Sequence, residues 1–114
     1  MLQDAHSRKI SAPISAAPGD TILVPFATDE WHYIHEVIGG LSVSGDVTLL
    51  AIDRSAAERV FASFIGLAAG QGITENDEPG EDNRPRFEVK PGEDFVIRVT
   101  NGTFTGGIHY SIRR

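Results

Sequence analysis

Cysteine is absent from this chain, which excludes a disulfide framework, a thiol nucleophile and any thiolate-held metal centre. No run reaches the ~18 consecutive apolar residues of a membrane-spanning helix. The opening MLQDAHSRKISAPIS scatters its charges among short apolar positions and has no continuous secretory core. These absences predict a protein made in the cytoplasm, without a membrane partner. Basic residues are also scarce, ten Lys and Arg against sixteen Asp and Glu for a formal net charge of −6. Such a surface repels phosphate backbones and disfavours direct nucleic-acid binding. With one Trp and two Tyr, the only local pair of those two residue types is Trp31 with Tyr33.

What is present is enough for one modest core. The 114 residues, 40% of them hydrophobic, suit a single domain. Pro13 and Pro18, with Leu2, Ile10 and Ile14 isolated among small polar residues, predict an extended N-terminal arm over residues 1–19. A β-domain is then expected over 20–114. In it, Pro18-Gly19-Asp20 turns into the strand TILVPFA, which Pro25 confines to an edge. The run from Trp31 is rich in aromatic and β-branched residues. Gly39-Gly40 interrupts it, suggesting a bulge or another backbone close by.

The stretch from Ile34 to Ile52 is expected to fold back at Ser44-Gly45-Asp46 as a hairpin, with Val47 to Asp53 apolar on both faces and therefore central. Ser55 to Ile65 fits either a capped helix or a loop and strand; its glycine-rich, β-type surroundings favour the strand. Thr74 to Arg86 is a polar loop. Glu75 to Asp94 holds eight acids and three bases, and whether the Glu75 to Asp82 part takes a cation is left open. Lys90-Pro91-Gly92-Glu93 has the order of a type II turn. Phe95 to Thr100 and Gly107 to Arg113 alternate as half-buried strands. The whole pattern predicts an all-β antiparallel sandwich or jelly-roll-like domain of seven to eight strands.

No constellation carries chemistry. In EWHYIHEV, strand alternation puts His32 and Glu36 on one face and His35 on the other, so the segment supplies no facial metal triad. No nucleophile elbow and no phosphate-cradling glycine loop occurs. The residues therefore predict no catalytic, cofactor-binding or metal-binding site, and no cofactor.

The order of turns and strands adds a resemblance. The run is Pro18-Gly19-Asp20-Thr21-Ile22-Leu23-Val24-Pro25, Leu41-Ser42-Val43-Ser44-Gly45-Asp46-Val47-Thr48, Leu67-Ala68-Ala69-Gly70-Gln71-Gly72, Phe87-Glu88-Val89 with Pro91-Gly92-Glu93, and Thr105-Gly106-Gly107-Ile108-His109-Tyr110. From about Asp20 to the C-terminus it resembles small β-sandwich virion proteins of tailed bacteriophages, the head decoration or cement type. The chain departs from them at Thr28 to His32 and in the longer acidic segment before Phe87. The resemblance implies a non-enzymatic homotrimer on the capsid exterior that binds the major capsid protein. Its expected contacts are Leu2, Ile10 and Ile14 of the arm, with Trp31 and Tyr33. The alternative it leaves is a fibre, spike-base or tail component that binds carbohydrate or a receptor.

Overall fold

A computed structural model describes residues 7–76 and 86–113. Among the described residues nine strands form: β1 Ser7–Ala16, β2 Gly19–Val24, β3 Trp31–Leu41, β4 Gly45–Ile52, β5 Glu58–Leu67, β6 Gly72–Asn76, β7 Phe87–Val89, β8 Asp94–Val99 and β9 Phe104–Arg113. The first sheet has the order β1-β9-β3-β6, with β7 also on β3, and the second has the order β2-β8-β4-β5. β6 pairs with Glu36 to Gly40 and β7 with His32 to Ile34, so the two lie end to end along one side of β3. They fill a single position, which leaves eight strand positions in two antiparallel sheets, the jelly-roll arrangement. Where the edge strand resumes after β6, Arg86 pairs with Glu75 at 2.7 Å and lies over the Phe87 ring.

The expected hairpin over Ile34 to Ile52 does not form. β3 belongs to the first sheet and β4 to the second, so the turn between them crosses the sandwich. Two apolar runs beside a turn look alike whether they pair or part. Here each finds other partners, β3 between β9 and the β6/β7 edge, and β4 between β8 and β5. The crossing is held by the neighbouring β8–β9 turn: the Ser42 N–H donates to the Thr103 carbonyl, and the Thr103 N–H to Ser42 Oγ, both at 2.9 Å. The hairpin that does form joins β4 to β5. Its turn is fixed by Asp53 Oδ1, which accepts from the Ser55 and Ala57 N–H groups at 2.9 and 3.0 Å. The ambiguous Ser55 to Ile65 segment is thus loop and then strand, starting at Glu58.

Residues 7–16, expected within an arm, are the edge strand β1, paired along its length with β9. β2 ends at Val24, before Pro25, at an edge as expected. Gly92 has φ of +86° and the Glu93 N–H donates to the Lys90 carbonyl, the type II turn read from the sequence.

Inward residues of both sheets make one core, centred on Ile34, Val37, Leu49, Phe95, Ile97 and Phe104, none of which is exposed. Phe61 stacks on Phe87 at 4.7 Å and both approach Phe95, joining three strands by their rings. β4 is buried on both faces, Leu49 and Leu50 alike. At one end of the core lies a partly buried ion pair, its carboxylate covered and its guanidinium open to solvent. Glu93 accepts from Arg59 at 2.6 and 3.2 Å and from the Lys90 N–H at 2.8 Å.

Burial raises the Glu93 pKa, but the Arg59 and Lys90 hydrogen bonds outweigh it and hold the carboxyl below its ordinary range. His32 is buried, with Nδ1 unpartnered among the described residues and Nε2 at 3.5 Å from Glu30. Its burial lowers its pKa, only partly opposed by Glu30. Both groups bind protons more tightly when unfolded, so both contribute stability at neutral pH that is lost on acidification. The denaturation midpoint should first fall as pH drops below about 6.5, through His32, and again below about 4.3, through Glu93. A His32→Phe variant titrated in guanidinium at stepped pH should lose the first decline and keep the second.

Candidate functional site

The outer face of the first sheet gathers Trp31, Tyr33, His35 and Glu36 of the residues singled out in the sequence. Trp31 and Tyr33 point outward from β3 with ring centroids 6.3 Å apart, and the Arg113 guanidinium lies over Tyr33. Trp31 is 36% exposed. The expected alternation from His32 to Glu36 fails for a local reason. Ile34 pairs with Tyr110 and Glu36 with His109, leaving His35 as an extra residue in a β-bulge. The bulge reverses the phase of the strand. His32 shares the inward face with Ile34 by regular alternation, while the bulge puts Glu36 beside His109 and His35 on the outer face.

His35 Nε2 and Ser111 Oγ are 2.8 Å apart, and the His35 and His109 rings are 6.0 Å apart. A serine bonded to an imidazole is the first element of a hydrolytic site. Ser111, however, is 4% exposed, so a substrate carbonyl has no open approach to its oxygen. Among the described residues no three His, Asp or Glu side chains are placed to share a metal ion.

Of the anticipated arm contacts, Leu2 lies outside the described residues. Ile10 is half-buried against β9 and Ile14 is 2% exposed, packed inside its own sandwich. Ile14 is not available to grip a neighbour, because the alternation that keeps Ala12, Ile14 and Ala16 on one face turns that face inward once β1 pairs with β9. Most of the acidic Glu75 to Asp82 stretch also lies outside the described residues.

The outer face of the second sheet is built differently. Ile22, Val96, Leu50 and Val60 form a row across its four strands. The end members are 55% and 56% exposed, yet Val96 and Leu50 are buried. Arg98 supplies cover, donating to Asp20 at 2.7 and 3.0 Å and reaching across β4 to Glu58 at 2.7 and 3.0 Å. The Arg98 hydrogen bonds hold the carboxyls of Asp20 and Glu58 below their ordinary range.

Along the open edge of this sheet, β5 carries Ile65, 75% exposed, at a register shift opposite Asp46. Gly66 has φ of +71° there, and its N–H donates to Asp46 Oδ1 at 2.8 Å. Sequence reading missed Ile65 because an apolar residue in a strand looks like core. Its only local signal is the following glycine.

No protein-family model matches the chain, and no curated protein sequence matches it. Among solved structures it is similar to a chain of the Bacillus endospore appendages, which form disulfide-linked pili. The identity is 18%, the match covers 94% of this chain and 84% of that one, and the TM-score is 0.54. At that identity the likeness shows a shared fold.

Proposed function

We propose that this chain is a non-enzymatic structural subunit that packs with copies of itself in an extracellular assembly, and that its place is the exterior of a phage head. There it would bind capsid subunits as a decoration protein. The observation that carries the self-packing is β5: among the described residues a ten-residue edge without proline or an outer partner strand, presenting Val60 at 56% and Ile65 at 75% exposure. An unpaired edge offers a row of backbone donors and acceptors to another chain, and the apolar side chains beside it add buried area once a copy docks. The pilus likeness supports assembly of this kind. A chain without cysteine cannot use the disulfide linkage of those appendages, and the contacts proposed for it are non-covalent. Trp31 and Tyr33, on the opposite side of the sandwich, would face the capsid. A partner that binds only the assembled shell stabilises that shell.

Sedimentation velocity tests the reading. The chain should form trimers or larger species at about 100 μM, and Ile65→Glu should leave a folded monomer, since exposed substitutions cost only about 0.5 kcal/mol. A parent chain that stays monomeric at that concentration would refute self-packing. Failure to co-sediment with heads of the phage that encodes it would refute the decoration role alone.

A further inference from the structure

The outer face of the first sheet contains a hollow of about 370 Å³, lined by Ser11 and Pro13 of β1, Glu36 and Ile38 of β3, and Gly107 and His109 of β9. It is shallow and open to solvent, the form of a site that meets a ligand by one of its faces. Its floor is a missing side chain. Two glycines stand in succession at 106 and 107, and the fold needs only the first: a Cβ on Gly106 would lie 1.9 Å from the Ile38 carbonyl oxygen, whereas one on Gly107 meets nothing nearer than 3.6 Å. Gly107 has no positive φ and no neighbour that forbids a methyl group. What its bareness keeps open is the hollow.

We propose that this hollow binds one or two pyranose rings of an uncharged carbohydrate. Pro13 and the 45%-exposed Ile38 offer apolar walls to the C–H face of a sugar ring. The Glu36 carboxylate accepts only, and so suits a pair of hydroxyl donors, while the His109 imidazole beside it has both a donor and an acceptor nitrogen. Among the described residues no hydrogen bond or ion pair engages the Glu36 carboxylate, and neither Lys nor Arg lines the hollow. A carboxylate inside the site of a chain with net charge −6 repels sialic acids, uronic acids and phosphorylated glycans, which selects neutral hexoses. A peptide is disfavoured because strand addition uses backbone groups at a sheet edge, and this site is on a face.

The ¹⁵N-labelled full chain should be titrated with methyl α-glucoside, methyl β-galactoside, N-acetylglucosamine and maltotriose, each to about 10 mM, a range that detects Kd values near 1 mM. N-acetylneuraminic acid serves as the anionic probe. At least one neutral sugar should shift the amides of Ala12, Ile38, Gly107 or His109, and the anion should not. Gly107→Ala should weaken that binding at least tenfold with an unchanged melting temperature, and Glu36→Gln should weaken it and admit the anion. The proposal is overturned if no neutral probe moves these amides, or if Gly107→Ala binds as the parent does. Neither result bears on the assembly reading, which is decided by sedimentation and Ile65.

Discussion

Gly106→Ala is expected to cost at least about 3 kcal/mol, well beyond ordinary overpacking and comparable to much of the total stability of a domain this size. The reason is backbone against backbone. Gly106 of β9 pairs with Gly39 of β3, and a methyl carbon at 106 would lie 1.9 Å from the Ile38 carbonyl oxygen and 2.6 Å from the Gly39 Cα. Neither atom can rotate away, so two central strands of the first sheet would have to separate. Gly39 is tight for a related reason: its absent Cβ leaves room for the Phe104 ring and the Thr105 carbonyl. Gly107→Ala is the matched control. With only ordinary contact at 3.6 Å, it should stay within about 0.5 kcal/mol of the parent, or gain slightly from lost unfolded-state entropy. Urea midpoints of the two variants, with the slope checked for constancy, decide this.

Phe95→Ala should cost about 3–5 kcal/mol. Phe95 is fully buried on β8, with the rings of Phe61 and Phe87 at 5.9 and 6.2 Å. Truncation removes a large buried side chain, leaves a cavity between the sheets and breaks ring contacts worth about 0.5–1.5 kcal/mol per pair. Because Phe61, Phe87 and Phe95 come from β5, β7 and β8, the loss falls on both sheets, and unfolding should remain a single transition at the lower midpoint. A Phe61→Ala variant, starting from a half-buried ring, should lose less. Equal losses for the two would mean that burial does not set the scale here. Both variants should be measured at a protein concentration where the parent is monomeric, since association adds its own stabilisation.

The strands were legible from local signals because each signal acts locally. Pro25 stops β2, Pro91-Gly92 turns the chain into β8, and alternation along β8 and β9 marks inside from outside, whereas the turn at Asp53 from β4 into β5 leads into a segment whose pattern fits helix and strand alike. The candidate site was legible only in part. Trp31 and Tyr33 lie on one outward face, as their spacing indicated, with His32 inward between them, but one inserted residue at His35 moved Glu36 to the outward face and so parted it from His32. A bulge depends on how two strands pair, and nothing in EWHYIHEV states its partner. The hollow over Gly107 and the exposed Ile65 have the same origin, since each is defined by residues distant in sequence.

By itself, then, the sequence determined an all-β chain, its turns, the absence of thiol chemistry and an acidic surface, all of which follow from residue type and short-range spacing. Tertiary structure alone decided which strands pair, and so that β3 and β4 part into different sheets instead of forming a hairpin. It also decided that residues 7–16 serve as a sheet edge, and that Gly106 is obligatory while Gly107 is free. The physical reason is that backbone hydrogen bonds between strands are nearly independent of side-chain identity. Pairing is selected by burial of the whole set of inward faces at once, a property that no single segment carries.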